Sequence, residues 1–135
     1  MKIYIASSWK NQHAVEMLTE LLRSKGHYVH SWVENCNKEQ QQGFDFEEWV
    51  KSKEAGLCFE FDTMGATQSD LLIYIGPAGK DAAAEIGAAW ASKIPIIGLY
   101  AKGEDFGLMR KMIQWYGRYS DIIQAVEDMH ITNHV

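Results

Sequence analysis

Two apolar runs in the second half of the chain show the clearest pattern. The segments 71–75 and 94–99 consist almost entirely of apolar strand formers, without the alternation of a strand that has one face in water. Between them lie a Gly/Pro turn at 76–80 and a helix of small residues over 81–90. Pro95 marks a break near the start of the second run. The pattern predicts a β-α-β unit whose parallel strands are buried on both faces.

The first third of the chain predicts a strand, a helix and a second strand. Residues 2–6 are apolar, and residues 9–25 carry an apolar stripe at helical spacing. The stripe consists of Val15, Leu18, Leu21 and Leu22. Gly26 follows as the stop of this helix, and residues 27–32 predict a short strand.

The middle segment is less regular. Residues 34–43 are polar and without period, which predicts a loop. Residues 44–67 contain spaced large apolar side chains that predict one helix or two, with an interruption near Gly56.

The C-terminal third predicts a loop, an undecided segment and a helix. Residues 100–107 read as a loop, and residues 112–116 as either an edge strand or the end of a helix. Residues 120–129 predict a final helix with Ser120 as its N-cap and Asp121 in its first turn.

Alternating strands and helices predict a single α/β domain over residues 1–135. We expect a doubly wound, flavodoxin- or Rossmann-like fold with a five-stranded, mainly parallel sheet ordered 2-1-3-4-5. Such sheets bind ligands where the strand order reverses, here beyond strands one and three. The residues predicted to line this crevice are those of 4–9 and 76–85.

Composition narrows the class of protein. The chain has 135 residues, of which 47% are hydrophobic, enough for one domain with a real core. No apolar run approaches the roughly 20 residues of a membrane span, and we expect no signal peptide. Cys36 and Cys58 lack metal-ligand spacing, which favours reduced thiols and a cytoplasmic location. A net charge of −5 without a basic block argues against nucleic acid and leaves a small-molecule partner.

Glu85 is the residue in this crevice whose side chain is best suited to catalysis. A desolvated carboxylate there would serve as a base or nucleophile, and a carboxylate nucleophile suits a glycosyl centre whose transition state resembles an oxocarbenium ion. The plainer interpretation is that Glu85 occupies the early part of a helix, where the dipole favours an acid. Gly76 and Gly79 would let the backbone approach a sugar or phosphate closely.

Other candidate residues have a structural interpretation beside the functional one. Tyr4 fits a half-buried strand aromatic, and Trp9 would either stack on a flat ligand or anchor the first helix. Asp62 and Asp70 fit solvated acids, the second capping the third strand. The histidines show no metal-site spacing, so we expect no metal and no cofactor.

Four stretches in order resemble one known family. They are 3–9, 62–70, 85–89 and 93–98, the third of which reads Glu-Ile-Gly-Ala-Ala. They resemble the nucleoside 2-deoxyribosyltransferase superfamily, which includes the 2′-deoxynucleoside 5′-phosphate N-hydrolases. The resemblance covers about the first hundred residues and implies a nucleoside or nucleotide as partner.

The resemblance also implies roles. Glu85 would attack the anomeric carbon and form a glycosyl-enzyme intermediate, Tyr4 would hold its carboxylate, and Asp62 would handle a proton on the departing base. Trp9 would pack against the base or sugar. The predicted substrate-binding set is Ser7, Ser8, Trp9, Gly76, Gly79 and Asp81. Water as acceptor gives hydrolysis, and a second base gives transfer.

The chain departs from the family at one position. Six residues before the nucleophile the transferases carry an aspartate, and the phosphohydrolases often a serine that contacts the 5′-phosphate, whereas this chain has Gly79. Asp81 lies four residues before Glu85 instead. Lys80, Lys102 and Arg118 are candidates for a phosphate contact.

Three further expectations concern assembly and function. The resemblance implies a homodimer or larger homo-oligomer. A nucleotide-binding sensor without turnover is the alternative from another class, and a glycohydrolase of NAD type on the same fold is a third.

Overall fold

A five-stranded parallel sheet forms the centre of the molecule. The computed structural model describes residues 1–36 and 45–133. The strands are β1 (Lys2–Ala6), β2 (Tyr28–His30), β3 (Leu71–Ile75), β4 (Ile96–Leu99) and β5 (Gln114–Tyr116). Their order is β2-β1-β3-β4-β5 and every neighbouring pair is parallel, which confirms the predicted fold.

Helices cover both faces of the sheet. They are α1 (Gln12–Ser24), α2 (Trp32–Asn35), α3 (Phe46–Val50), α4 (Lys53–Gln68), α5 (Lys80–Ala91) and α6 (Tyr119–Asn133). Short 3₁₀ turns lie at Trp9–Asn11 and Leu108–Met112. Helices α4 and α5 pack against each other and against β1, while α6 packs on β4 and β5. Right-handed crossovers put α1 and the α4–α5 pair on opposite faces.

The core lies around the two central strands. All five residues of β3 are buried, as are Ile3 to Ala6 of β1. The stripe of α1 faces this core through Val15, Leu18 and Leu22. Each such side chain contributes about 1.5–3 kcal/mol when buried. The carboxyl ends of β1 and β3 are therefore fixed, and the loops that follow them start from rigid positions.

The interruption predicted near Gly56 lies elsewhere. Helix α3 ends at Val50, and α4 begins after Ser52, whose hydroxyl accepts a hydrogen bond from the Ala55 amide at 3.2 Å. Gly56 lies inside α4, so the prediction was wrong. A side-chain cap satisfies the first free amides of a helix, whereas one glycine in a helix interior costs only about 1 kcal/mol.

The predicted second strand is too long. Strand β2 ends at His30, and Trp32 begins α2, where its Nε1 donates to the Ile5 carbonyl at 2.7 Å. This bond turns the chain away from the sheet. The loop predicted over 34–43 is wrong at positions 34 and 35, which belong to α2, and its positions 37–43 lie outside the described residues, as does position 44.

The undecided C-terminal segment contains an edge strand. Strand β5 follows the 3₁₀ turn that ends at Met112. Helix α6 begins at Tyr119, where the Arg118 carbonyl accepts from the amides of Asp121 (3.1 Å) and Ile122 (3.3 Å). Ser120 is therefore inside the helix and is not its N-cap, while Asp121 lies in the first turn as predicted.

The structure also shows the state of the two cysteines and the character of the helices. Cys36 and Cys58 carry free thiols. Among the residues that the structure describes, none of the helices combines the length and apolar character needed to cross a membrane.

Candidate active site

A buried tyrosine and a carboxylate meet between the sheet and α5. Tyr4 is fully buried on β1, and its hydroxyl donates a hydrogen bond to Oε2 of Glu85, in the second turn of α5. Burial is the main cause that raises the pKa of Glu85, to about 8, helped by the charges of Asp62 and Asp81; the bond from Tyr4 opposes the shift. Burial and the Glu85 charge in turn raise the pKa of Tyr4, so this hydroxyl keeps its proton and acts as a donor.

A second carboxyl group faces the pair from α4. Burial, and after it the charge of Asp81, raises the pKa of Asp62 to about 7. Its Oδ1 is buried and has no hydrogen-bond partner among the described residues. Buried polar atoms in native proteins are nearly always paired, so this oxygen is a point where a ligand group would bind.

Asp81 completes the acidic cluster. It is exposed in the first turn of α5, four residues before Glu85 and so on the same side of the helix. Within the described part of the chain, no Lys or Arg contributes to the pKa shifts of Tyr4, Asp62 and Glu85. The crevice thus holds two carboxyl groups with raised pKa values, one of which is hydrogen-bonded to a buried tyrosine. Nucleophilic and acid catalysis need two such groups, one ionised and one protonated.

The loops after β1 and β3 are tied together beside this cluster. The Ser7 hydroxyl donates to the Ile75 carbonyl at 2.7 Å. The Asn11 amide donates to the Ser7 hydroxyl at 3.0 Å and to the Pro77 carbonyl at 2.9 Å. Ser7 therefore holds the crevice in shape, whereas the Ser8 hydroxyl is buried with no partner in the described residues and has its donor available.

Trp9 lies against another tryptophan. Its ring packs edge-on against Trp32 of α2, with centroids 4.9 Å apart and an interplanar angle of 88°. This contact anchors the segment that leads into α1, which agrees with the structural interpretation of the residue. Stacking of Trp9 on a ligand stays a prediction.

Gly76 and Gly79 lie near Glu104, on the side of α5 away from Glu85. The Tyr74 hydroxyl donates to Glu104 there, and a Cβ on Gly76 would collide with the Glu104 carboxylate. Gly79 borders a cavity of about 390 Å³, within the size range of small-ligand sites. Its lining consists of Pro77, Ala78, Gly79, Ala83, Ile86, Gly87, Glu104, Asp105, Phe106, Met109 and Met112.

We take the Tyr4–Asp62–Glu85 cluster, and not the cavity, as the candidate active site. The cavity adjoins the same loop, but the carboxyl groups whose pKa values are raised lie on the other side of α5. Perturbed titratable groups in contact are the stronger sign of chemistry. The predicted phosphate contacts Lys80, Lys102 and Arg118 are all exposed.

Some residues of importance were not singled out by their sequence pattern, and one candidate lies far from the site. Asn11 is a polar residue just past the first loop, a position that could have suggested a loop-bridging amide. His30 and Glu104 carry no such signal.

Asp70 accepts from the Lys2 amide at 2.8 Å, at the amino ends of β1 and β3, which agrees with a capping role.

Across residues 1–36 and 45–133, no group of three or more His, Cys, Asp or Glu side chains is arranged to hold a metal ion. The carboxylates of the cluster instead face a tyrosine hydroxyl and one another.

Two solved structures with the same fold have a named activity, and both are enzymes of nucleoside or nucleotide chemistry. The CMP N-glycosidase BcmB of Clostridium botulinum is 18% identical, with a TM-score of 0.62 over 94% of this chain and 99% of its own. A 2-deoxyribosyltransferase of Bacillus psychrosaccharolyticus is 21% identical, with a TM-score of 0.63 over 90% of each chain.

A third structure, a conserved protein of Enterococcus faecalis, is 28% identical, with a TM-score of 0.56 over 82% of this chain and 70% of its own. The sequence matches no protein-family model and no curated protein. The similarity is therefore one of fold, and for the two named enzymes it extends over 94% and 90% of this chain. The chain shares the fold of an N-glycosidase and of a 2-deoxyribosyltransferase, which is the fold that the resemblance of its sequence implied.

Proposed function

We propose that this protein is an enzyme that cleaves or transfers at the N-glycosidic bond of a nucleoside or nucleotide, with Glu85 as nucleophile. The observation that carries the proposal is the hydrogen bond from the buried Tyr4 hydroxyl to the Glu85 carboxylate, beside the raised-pKa carboxyl of Asp62. The fold shared with an N-glycosidase and a deoxyribosyltransferase supports it.

The reaction proceeds in two displacements. A carboxylate oxygen of Glu85 attacks C1′ of the sugar, the C1′–N bond breaks, and its electron pair leaves with the base. Asp62 donates its proton to that base, which becomes a neutral leaving group. Water then attacks C1′ and releases Glu85, with Asp62 accepting the proton; a second base attacking C1′ through nitrogen gives transfer instead.

Tyr4 favours the reactive form of the nucleophile. Its hydrogen bond stabilises the ionised Glu85 carboxylate and lowers the pKa that burial has raised. It also fixes which oxygen of the carboxylate is left for attack on the sugar. We expect Ser8, whose buried hydroxyl has no partner in the described residues, and the exposed Asp81 to contact the substrate.

A sensor that binds the same ligand without turnover is the second candidate. One observation favours it: a pKa of about 8 leaves Glu85 mostly protonated at neutral pH, and a protonated carboxyl is no nucleophile. The sensor would use the neutral Glu85 as a hydrogen-bond partner of the ligand.

The deciding experiment is chromatography of the protein incubated with deoxynucleosides, ribonucleosides, CMP, deoxynucleotides and NAD, with and without an added free base. Glu85→Gln is expected to lower base release by on the order of a thousandfold or more, because no second group can replace the nucleophile. Glu104→Gln is the matched control, since Glu104 is also bound by a buried tyrosine but lies across α5.

Each outcome has one meaning. Free base from wild type and Glu104→Gln, but not from Glu85→Gln, establishes the glycosidase, and a new nucleoside in the presence of added base makes it a transferase. Release from NAD alone identifies the glycohydrolase of NAD type. Ligand bound equally by wild type and Glu85→Gln, with no product from either, identifies the sensor.

A further inference from the structure

His30 is buried directly beneath the helix that carries Asp62. It lies on β2, opposite Tyr4 in the strand register, and its ring stacks on Phe61 with centroids 3.7 Å apart. Its Nε2 is 2.6 Å from the Phe61 carbonyl oxygen. A carbonyl only accepts, so Nε2 carries the proton and donates. Nδ1 is then an unprotonated acceptor, buried without a partner among the described residues.

Gly65 makes this hydrogen bond possible. The Phe61 carbonyl belongs to the interior of α4, and Gly65 lies four residues further on, on the same face. A Cβ on Gly65 would lie 2.7 Å from Cδ2 of His30 and closer still to the Tyr4 ring. The missing side chain thus lets both rings reach the helix backbone.

The bonded peptide leads directly into Asp62. The hydrogen bond from His30 fixes the Phe61 carbonyl, and with it the turn of α4 that presents the Asp62 side chain. Groups that act on or face Asp62 come from three other elements: Tyr4 on β1, Asp81 and Glu85 on α5, and Cys36 just after α2. A small shift of the turn would change all of these electrostatic interactions and admit water to the carboxyl group.

We infer that His30 is a positioning residue, whose hydrogen bond to the Phe61 carbonyl holds Asp62 against Tyr4 and Glu85. The inference deepens the proposed function and rests on it for the catalytic consequence. A histidine under a helix is otherwise a core residue, which would affect stability without affecting Asp62 in particular. The two roles therefore differ in what they do to the carboxyl group.

Two substitutions separate the hydrogen bond from the volume of the ring. His30→Gln keeps an N–H donor at about the position of Nε2, and His30→Met keeps the bulk without a donor. His27→Met is the matched control, because His27 is also buried but contacts Glu127 and His130 of α6. The readouts are ¹³C NMR titration of the Asp62 carboxyl in the full chain and the rate of base release.

We expect His30→Met to lower the pKa of Asp62 from about 7 by at least about one unit, toward 3.8, because the carboxyl becomes hydrated. We also expect kcat to fall at least tenfold with KM within about threefold, since acid catalysis contributes about 10²–10⁴. His30→Gln is expected to retain both values. His27→Met is expected to lower the unfolding temperature and leave both unchanged.

An unchanged Asp62 titration in His30→Met, or an equal change in His27→Met, would overturn the inference. If His30→Met does not fold, His30→Asn takes its place, because the shorter amide does not reach the carbonyl. If wild type releases no base, the proposed function fails, and the Asp62 titration still decides whether His30 positions that residue.

Discussion

At the scale of single residues, the site is defined by two carboxyl groups that share protons. The pKa of Asp62 is raised to about 7 and that of Glu85 to about 8, and the charge of Asp62 disfavours ionisation of Glu85. The protons of such a pair belong to both residues. In the proposed reaction, the reactive form has one proton, with Glu85 ionised and hydrogen-bonded to Tyr4, and with Asp62 protonated and facing the base.

This sharing predicts a bell-shaped dependence of kcat/KM on pH, with its maximum between about 7 and 8. At lower pH both carboxyls are protonated and the nucleophile is lost; at higher pH both are ionised and the acid is lost. Asp62→Asn is expected to remove the alkaline limb, and to move the acid limb to lower pH because one negative charge beside Glu85 is gone. Steady-state rates on one substrate from pH 5 to pH 10 check this, and an alkaline limb unchanged in Asp62→Asn would assign the acid to another group.

The same pKa shifts predict how folding stability depends on pH. In the folded protein these carboxyls bind protons more tightly than in the unfolded chain, where their pKa values are 3.8 and 4.5. Their contribution is therefore most favourable below about pH 4 and is lost as pH rises through 7 and 8. Glu85→Gln is expected to be more stable than wild type at pH 9, by on the order of 1 kcal/mol.

Urea unfolding at pH 5 and pH 9 measures this effect. Glu34→Gln is the control of opposite sign, since the bond from Arg23 lowers the pKa of Glu34. The free energy of unfolding of Glu34→Gln at pH 9 is expected to be equal to that of wild type or lower. A Glu85→Gln protein less stable than wild type at pH 9 would show that the ionised carboxylate stabilises the fold.

At the scale of elements, α4 contains two glycines with opposite roles. Gly56 has open space where a side chain would be, whereas a Cβ on Gly65 would overlap the rings of Tyr4 and His30. Both lie inside the helix, so the intrinsic preference for alanine is the same for both. The difference between them isolates the contact of α4 with Tyr4 of β1 and His30 of β2.

Gly56→Ala is expected to stabilise the protein by about 0.5–1 kcal/mol, the usual gain inside a helix. Gly65→Ala is expected to destabilise it by about 1–3 kcal/mol, as overpacked cores do. Thermal unfolding of the two variants beside wild type measures both changes. Equal gains would mean that α4 can move away from Tyr4 without cost.

Where a helix or strand begins and ends can be predicted from the sequence only when nearby residues determine it. The capping hydroxyl of Ser52 outweighs the more conspicuous Gly56, because a helix starts where its free amides are satisfied. Trp32 leaves the predicted strand because its indole finds a carbonyl on β1, a contact distant in sequence. Such boundaries follow from tertiary hydrogen bonds, which a local pattern does not contain.

At the scale of the whole molecule, the topology was predictable and the arrangement around α5 was not. Two fully apolar strands around a small-residue helix were enough to predict the parallel sheet and the crevice after β1 and β3. They also placed Tyr4 and Glu85 at this crevice, whereas Asp62 was singled out only by the resemblance to the transferase family. The pattern did not predict that Gly79 borders a cavity on the side of α5 away from Glu85, because the position of Glu104 in its lining depends on a loop contact with Tyr74. The homo-oligomer stays a prediction.

The lengths of the strands have a consequence for behaviour at high concentration. The inner strands β1 and β3 have five residues each, whereas β2 and β5, at the two edges, have three. An exposed edge is a template on which another chain can add a strand, and three residues offer few free backbone groups for this. Strand addition at either edge would therefore gain little. We therefore expect this sheet to resist edge-to-edge aggregation, so that contacts between copies of the molecule in a crowded solution form through side chains.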